Sequence, residues 1–493
     1  MTRRIGLWWV TGVLLCLPLI SMVLMPLSDT SEPRYAEIAR LMAQSGDWIT
    51  PWFEPGKPFW GKPPLSFWAQ ALSFRLLGVN EFAVRFPSWL SMVATVGLLI
   101  AFARTFFGRQ LAQWAAVVYS SCALVYITSG AVLTDPFLVL GTTFSMTSFM
   151  MARHYPSLFW RYGFFVGLAI GLLAKGPLAL VLVAGPLLLW LLPNIGGRMV
   201  QFRALPWTRG LLLTALISLP WYVMAEIKTP GFLNYFIVGE HFLRFIDPGW
   251  QGDLYGTAHE KMHGTIWWYW LQATFPWGLF GVGLLLPNLV KKGVRAVIIK
   301  PLADSAQLSY LLAWALFTPL FFTFSGNILW TYLLPCLGAF SILMALGWRK
   351  WVEQSQWQFA LNTRWIAALV PMVLVLLSLF AYVSPDHFKT EKGLVHFAAL
   401  QTKAGTPVYY VDERPFSARF YSGGTAELLK INEVSAKLDN STLPVLLAIP
   451  KKRLNEVAHV LSVPVQKRYE NKRYILFEAS PGLAQTAMSI VAN

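Results

Sequence analysis

Long runs of apolar residues recur along the chain, and they constrain its fold more than any other feature of the sequence. A helix needs roughly 20 apolar residues to cross a bilayer. Only 13% of the residues are charged, against about 25% in soluble domains, so the sequence predicts an α-helical polytopic membrane protein. About eleven spans are expected, near residues 5–27, 82–103, 110–127, 132–151, 159–174, 177–193, 210–225, 265–290, 307–324, 329–347 and 365–384.

The connections between these spans are basic on one side of the membrane. With the N-terminus in the cytoplasm, every cytoplasmic connection carries Lys or Arg, as the positive-inside rule requires. The residues concerned are Arg3, Arg4, Arg104, Arg109, Arg153, Arg161, Arg198, Arg203, Arg209, Lys291, Lys292, Arg295, Lys300, Arg349, Lys350 and Arg364. An odd number of spans then places the C-terminus outside. The first apolar run lacks a small-x-small cleavage site, so we expect a retained helix and not a signal peptide.

This topology leaves two long connections on the outer face, residues 28–81 and 226–264, which we call the first and second outer segments. Residues 33–44 of the first are amphipathic, which suits a helix lying along the interface or a solvated loop.

The chain is expected to divide after the last predicted span. Residues 1–384 would form the transmembrane domain and residues 385–493 a small periplasmic α/β domain. The latter segment alternates β-rich runs with helix-like runs, separated by Gly, Pro and Asn. The β-rich runs are residues 407–411, 444–448 and 473–477, and the helix-like runs are residues 413–421 and 451–461.

The net charge of +16 does not indicate a nucleic-acid partner, because the basic residues lie in short clusters between apolar runs. The expected partner is the lipid bilayer. Cys16, Cys122 and Cys336 each fall inside an apolar run without metal or disulfide spacing, and are expected to be inert packing residues.

Two acidic residues stand at predicted outer helix ends. Asp29 follows the first span, where a carboxylate could act as general base on an acceptor at the membrane surface. Asp135 opens the fourth span, and the topology puts both acids at the same level of the bilayer. They could divide base and orienting roles or share a metal ion. The alternative for both is helix capping, which Asp favours.

Cations at the same level would suit a phosphate-bearing lipid. Arg34 can bind phosphate as a fork, and Lys62 lies beside two prolines that stiffen its backbone. Lys57 is more typical of a solvated face. Lys175 interrupts an apolar run, which a snorkelling side chain explains in part.

The second outer segment combines histidines with charged residues. Glu240, His241 and Arg244 come first, followed by His259, Glu260, Lys261 and His263. Histidine and carboxylate together can hold a divalent metal or relay a proton, although the spacing is not that of a strict metal site.

Several short motifs, in this order, resemble the GT-C membrane glycosyltransferases, particularly the bacterial aminoarabinose lipid A transferases and their protein O-mannosyltransferase-like relatives. The resemblance covers roughly residues 5–345. It is carried by residues 29–42, Gly46-Asp47-Trp48-Ile49-Thr50-Pro51, Lys62-Pro63-Pro64-Leu65, Thr134-Asp135-Pro136, Ala174-Lys175-Gly176-Pro177, Gly239-Glu240-His241 with Arg244-Phe245, and Tyr332-Leu333-Leu334-Pro335.

The resemblance implies transfer of a sugar from a polyprenyl phosphate to an acceptor on the outer face of the bacterial inner membrane. The acceptor would be lipid A or another glycolipid, a polysaccharide or a protein. Asp29 matches the essential acid of the family and Asp135 its second acid. The residues that would bind the donor are Arg34, Tyr35, Lys62, Lys175, His241, Arg244, His263 and Tyr332.

Two departures bear on cofactor and substrate. Aminoarabinose transferases typically carry a metal-associated glutamate directly before Lys-Pro-Pro, where this chain has Gly61. They also tend to carry lysine in the loop matching residues 325–329, which here holds no cation. No cofactor is certain: a divalent metal ion stays possible, with Glu32 and His263 as weak candidate ligands, and aminoarabinose specificity does not follow.

Two other functions compete with transfer. A transporter of lipids or lipid-linked sugars would share the spans and the cations, but it more often shows internal repeats and broken helices at the midplane. An assembly factor would act through the segment 385–493.

Overall fold

The computed structural model describes residues 7–247, 249–256, 259–294, 305–354, 360–401, 407–441, 443–461 and 463–479. The chain divides into two compact units. The first comprises Met1–Val23 and Met42–Leu376, and the second comprises Leu24–Leu41 and Leu377–Asn493.

The described residues of the first unit are mainly helical, and a small hairpin pairs β1 (Trp52–Glu54) with β2 (Lys57–Pro58). Its α-helices are Leu7–Leu24, Leu65–Leu77, Glu81–Phe107, Arg109–Ser121, Ala123–Ser129, Asp135–His154, Leu158–Lys175, Leu178–Leu191, Ile195–Phe202, Trp207–Lys228, Arg244–Ile246, Thr265–Thr274, Trp277–Val294, Ala306–Thr323 and Leu334–Gln354, with a π-helix at Asn234–Leu243. Ala360–Val383 continues into the second unit.

Within the described residues, eight helices are long and apolar enough to cross a membrane, or up to ten if two bent pairs each form one span. The helices Arg109–Ser121 and Ala123–Ser129 meet at a bend of 71°. A second bend, of 110°, separates Thr265–Thr274 from the helix that begins at Trp277. Helix is present at all eleven predicted positions. The predicted class, a multi-pass α-helical membrane protein, is therefore confirmed. The helix Asp135–His154, with 20 residues, coincides with a predicted span but is not among those ten candidates. The count of eleven spans therefore stays a prediction.

Glycines allow two neighbouring helices to approach closely. A Cβ at Gly141 would lie 2.6 Å from the backbone nitrogen of Gly171, and one at Gly167 would lie 2.5 Å from the carbonyl oxygen of Gly141. Small residues commonly allow such contact between membrane helices. The helices Asp135–His154 and Leu158–Lys175 are antiparallel neighbours, so the first residue of one lies beside the last residue of the other.

The second unit contains a five-stranded sheet, and a small α/β region is thus confirmed. Its strands are β3 (Val408–Val411), β4 (Glu427–Leu429), β5 (Val445–Pro450), β6 (Val465–Glu470) and β7 (Tyr474–Ala479), in the order β4-β3-β5-β7-β6. β3 runs parallel to β4 and β5, whereas β7 is antiparallel to β5 and β6. All six residues of β5 are buried, as expected for a central strand covered on both faces.

Short helices cover the two faces of this sheet. Lys392–Gln401 and Phe416–Tyr421 contribute Leu394 and Ala418 to the core on one face. Val434–Asp439 and Leu454–Ala458 contribute Val434 and Val457 to the core on the other. β3, β5 and β7 coincide with the predicted β-rich runs, whereas β4 and β6 have no predicted counterpart.

The amphipathic stretch in the first outer segment is a helix, Ser31–Ser45. Ile38 and Met42 are buried as expected. The polar face differs from the expectation, because Glu37 and Arg40 are also buried and form an ion pair of 2.7 Å with each other.

The three cysteines are free thiols in the structure. Cys122 and Cys336 are buried, as expected of packing residues, whereas Cys16 is exposed on the helix Leu7–Leu24.

Candidate functional site

Asp135 and Lys175 form a buried ion pair in the first unit. Asp135 is the first residue of its helix and Lys175 the last residue of the next, and their Oδ1 and Nζ atoms lie 2.7 Å apart. Asp135 therefore compensates a buried cation, while the N-cap position belongs to Thr134. The expected snorkelling of Lys175 is wrong, since this residue is only 8% exposed.

Two further predicted residues contact Lys175. Its ammonium lies 5.0 Å from the centroid of the Tyr332 ring, a cation–π arrangement. Its backbone carbonyl lies 2.9 Å from Nε2 of His241, whose Nδ1 lies 2.8 Å from the carbonyl oxygen of Phe236. Burial lowers the pKa of His241. Both ring nitrogens face carbonyl oxygens, and a neutral imidazole has a single N–H to donate, so His241 ties down one of these two carbonyl groups.

Glu240 is the centre of a second group of charges in this unit. Its carboxylate accepts hydrogen bonds from Arg244 at 3.1 Å and from the hydroxyl of Tyr235 at 3.2 Å. Lys62 approaches it more loosely, at 3.4 Å. Arg244 also pairs with Asp253 at 3.3 Å. The π-helix Asn234–Leu243 carries Glu240 and His241 at adjacent positions, so the two groups of charges are neighbours.

The two cations determine the protonation of Glu240. Burial on its own would raise the pKa of this carboxyl, but the charges of Lys62 and Arg244 outweigh burial and lower the pKa below its ordinary value. The ring of Tyr332 faces the ammonium of Lys175, so Tyr332 belongs with these charges. We call Lys62, Asp135, Lys175, Glu240, Arg244 and Tyr332 the cationic cluster.

Aromatic residues join the two outer segments beside this cluster. The hydroxyl of Tyr255 donates to the carbonyl oxygen of Pro58 at 2.7 Å and accepts from the backbone N–H of Trp60 at 3.0 Å. The indole N–H of Trp60 donates to Thr229 at 3.1 Å. These contacts hold Lys62, which follows Trp60 in the chain, opposite Glu240.

Asp29 lies in the second unit, in a separate network. Its Oδ1 accepts from the backbone N–H of Ser417 at 2.9 Å, and its Oδ2 accepts from the Ser417 hydroxyl at 2.5 Å and from Arg473 at 2.6 Å. Among the described residues it makes these contacts and does not cap the helix Ser31–Ser45. Its side chain is 6% exposed.

Arg473 bridges Asp29 to a second buried acid. The same guanidinium nitrogen donates to Glu391 at 2.7 Å. Asn471 donates to the other oxygen of Glu391 at 2.8 Å. Burial raises the pKa of Glu391 to about 7, and the nearby charge of Asp29 contributes to this rise while Arg473 opposes it. We call Asp29, Glu391, Ser417 and Arg473 the carboxylate network.

The remaining predicted donor-binding residues are Arg34, Tyr35 and His263. Arg34 and Tyr35 are in the second unit, where the Arg34 guanidinium lies 5.8 Å from the centroid of the Phe416 ring. His263 is exposed in the first unit. The expectation that Asp29 and Asp135 share one site stays a prediction, because they belong to different units.

The described residues do not fit the metal site associated with the related transferases. Within the part of the chain that the structure describes, no three His, Cys, Asp or Glu side chains are grouped so as to hold an ion. Glu32 lies in the second unit and His263 in the first, and their role as metal ligands stays a prediction. At Gly61 a Cβ would lie 2.9 Å from the ring of Phe59, which is itself buried. A glutamate there would displace Phe59, so no step is assigned to a metal.

Sequence reasoning considered Glu240 for metal binding or proton relay but not as the partner of Lys62 and Arg244, and it missed Ser417, Arg473 and Glu391. Glu240 had a signal, since it is an acid within an otherwise apolar helical stretch. Ser417 and Arg473 had none, because they lie 388 and 444 residues from Asp29.

Comparison with known proteins places this geometry in a family context. Residues 13–236 match the family model described as dolichyl-phosphate-mannose-protein mannosyltransferase. An undecaprenyl phosphate-alpha-4-amino-4-deoxy-L-arabinose arabinosyl transferase of Aeromonas hydrophila is 31% identical over 375 residues, which is 73% of this chain. This chain covers 63% of the length of that relative.

Solved structures agree over nearly the whole chain. The crystal structure of ArnT from Cupriavidus metallidurans bound to undecaprenyl phosphate superposes with a TM-score of 0.74 and 16% identity, covering 97% of this chain and 99% of ArnT. The chain has the ArnT fold. The archaeal oligosaccharyltransferase AglB from Archaeoglobus fulgidus is more distant, with a TM-score of 0.50 and 12% identity over 90% of this chain and 69% of AglB. The resemblance to GT-C enzymes expected from the sequence motifs is confirmed. Lys62, Asp135, Lys175, Glu240 and Arg244 come from those motifs, and the ArnT fold gathers them.

Proposed function

We propose that this chain transfers a sugar from a polyprenyl phosphate to an acceptor at the outer face of the bacterial inner membrane. The observation that carries the proposal is the convergence of three cations, Lys62, Lys175 and Arg244, on one cluster beside the aromatic ring of Tyr332. The Aeromonas hydrophila relative is named for an undecaprenyl phosphate-linked donor, and ArnT was crystallised with undecaprenyl phosphate. Both names support the same class of donor.

Lys62 is the cation best placed to take a donor phosphate. Its nitrogen is 3.4 Å from Glu240 and its side chain is 23% exposed, whereas Lys175 is 2.7 Å from Asp135 and its side chain is 10% exposed. A weak, accessible ion pair can exchange its carboxylate for a phosphate at a lower desolvation cost. Lys62 therefore binds the phosphate, while Lys175 remains with Asp135.

The reaction exchanges one bond at the anomeric carbon for another. The bond to the phosphate oxygen breaks and its electron pair leaves with the lipid phosphate, while the acceptor oxygen bonds to the same carbon. Positive charge at Lys62 and Arg244 stabilises the leaving phosphate as its charge develops. Asp29 receives the acceptor proton, and Asp135 keeps Lys175 in position.

The orientation follows from the basic connections between the spans. The N-terminus is cytoplasmic, residues 1–384 form the transmembrane domain, and residues 385–493 form a periplasmic domain. The sugar and acceptor are left open within the class, because Gly61 and residues 325–329 depart from the aminoarabinose transferases. A glycolipid such as lipid A, a polysaccharide or a protein would each serve as acceptor.

The test is transfer by the purified protein in detergent and lipid, with a panel of polyprenyl-phosphate sugars and release of polyprenyl phosphate as readout. We expect sugar-dependent release by the wild type and its loss in folded Asp29→Asn. Release by neither protein, together with equal lipid binding by both, would contradict the proposal and favour a transporter.

A further inference from the structure

The carboxylate of Asp29 is held from three directions by the C-terminal part of the second unit. The backbone N–H of Ser417 donates to Oδ1. The hydroxyl of Ser417 and the guanidinium of Arg473 both donate to Oδ2. A carboxylate has about four acceptor positions. Three donors therefore leave one position on Asp29, and it lies on Oδ1.

Both donor residues are themselves fixed in place. Ser417 is fully buried in the helix Phe416–Tyr421, and its hydroxyl also accepts from the backbone N–H of Glu391 at 3.1 Å. The backbone N–H of Arg473 donates to the Asn471 side chain at 2.9 Å. The backbone carbonyl oxygen of Arg473 accepts from the backbone N–H of Lys451 at 2.8 Å. The donors are thus parts of the folded sheet region.

We propose that Ser417 and Arg473 are positioning residues for Asp29 in sugar transfer. This inference rests on the proposed function, in which Asp29 is the base. Ser417 fixes the rotation of the carboxylate, so that the remaining acceptor position on Oδ1 points in one direction. Arg473 holds Oδ2 of Asp29 at 2.6 Å and so keeps the second oxygen of this buried side chain in place.

The proton then has one defined destination. As the acceptor oxygen bonds to the anomeric carbon and the phosphate leaves with its electron pair, the acceptor hydroxyl gives its proton to Oδ1 of Asp29. A base acts well only when it is within hydrogen-bond reach and correctly oriented. The C-terminal α/β region is therefore a functional part of the transferase.

The test compares Ser417→Ala and Arg473→Lys with the wild type in steady-state transfer. Arg473→Lys keeps a cation beside the two buried acids, so we expect the fold to be retained. Arg468→Lys is the matched control, because Arg468 pairs with Glu478 at 2.7 Å on an exposed part of the same sheet. Donor KM, kcat and the pH profile of kcat are measured for each protein, and circular dichroism reports the folded fraction.

We expect Ser417→Ala to lower kcat about 10- to 100-fold with donor KM unchanged, since small misplacements of a reacting group have effects of this size. We expect Arg473→Lys to lower kcat as well, with donor KM unchanged, because the lysine ammonium does not reproduce the position of the guanidinium nitrogen that donates to both Asp29 and Glu391. Arg468→Lys behaves as the wild type.

Two results would overturn the inference. If kcat per folded molecule and the pH profile are unchanged in both variants while Asp29→Asn is inactive, the positioning role is wrong and the proposed function stands. If folded Asp29→Asn transfers sugar at the wild-type rate, Asp29 is not the base, and both the inference and that part of the proposed mechanism fail.

Discussion

The cationic cluster and the carboxylate network each bury acids beside cations, but Glu240 in the first has more cationic partners than Glu391 in the second. In the first, Glu240 faces both Lys62 and Arg244, and its pKa is lowered although it is buried. In the second, Asp29 and Glu391 share the single cation Arg473, and the pKa of Glu391 is raised to about 7. Burial raises the pKa of both carboxyls, and the charges of neighbouring cations outweigh it at Glu240 but not at Glu391.

This difference matches two different chemical tasks. A region with an accessible cation can bind an anion such as a lipid phosphate, since only a loose contact with Glu240 has to be replaced. A region in which two acids compete for one cation can accept a proton, because its carboxylates are not fully compensated. The proposed mechanism assigns phosphate binding to the first region and proton transfer to the second.

The largest effect should come from breaking the tightest pair of the cationic cluster. Asp135→Asn leaves Lys175 buried without its anion, which costs about 3 to 5 kcal/mol of unfolding free energy. Combining it with Lys175→Met removes the buried charge and should restore much of that stability. Chemical denaturation in detergent measures both variants.

An exposed pair provides the control for this prediction. Glu413 and Lys452 lie 2.6 Å apart, with side chains 52% and 65% exposed. Glu413→Gln should cost less than about 1 kcal/mol, since water screens such pairs. Equal losses in Asp135→Asn and Glu413→Gln would show that the pair in the cluster is not a buried one.

A smaller effect should appear in the pH dependence of the second unit. Glu391 has an ordinary value of 4.5, and burial raises its pKa in the folded chain to about 7. Between pH 4.5 and 7 the folded state therefore binds more protons at Glu391 than the unfolded state does. The contribution of protonated Glu391 to the free energy of unfolding is fully present below pH 4.5 and is lost as the pH rises through 7. The loss amounts to about 3 kcal/mol at most.

Thermal unfolding of the full chain between pH 4.5 and 8 measures this effect, with Glu391→Gln as the test variant and Glu413→Gln as its control. Glu391→Gln should reduce the fall in stability with pH, whatever constant cost the substitution adds. A variant that retains the wild-type slope would show that Glu391 is already ionised in the folded protein.

The sequence predicted the helices better than it predicted the site. Apolar runs are local, so helix occurs at every predicted span, and β3, β5 and β7 fall on the predicted β-rich runs. Asp135 and Lys175 were each singled out, yet their pairing depends on the close approach of two helices at Gly141 and Gly171. Residue spacing in the sequence does not encode that approach.

The partners of Asp29 were beyond sequence reasoning for a similar reason. The acid was selected from its place after the first span, but capping competed equally as an explanation. Ser417 and Arg473 lie far along the chain, one in a short helix and the other directly before β7, with no distinguishing motif. Only the folded sheet brings them to Asp29.

The most direct test of the central claim is the affinity of the purified protein for polyprenyl phosphate, compared among the wild type, Lys62→Gln and Lys57→Gln. Lys57 is the matched control, because it is an exposed lysine of the same outer segment lying over the Phe53 ring. A hydrogen bond to a charged group contributes about 1.5 to 3 kcal/mol, so Lys62→Gln should weaken binding about 10- to 100-fold while Lys57→Gln leaves it unchanged. Equal affinities in all three proteins would contradict the assignment of the cationic cluster as the donor-phosphate site.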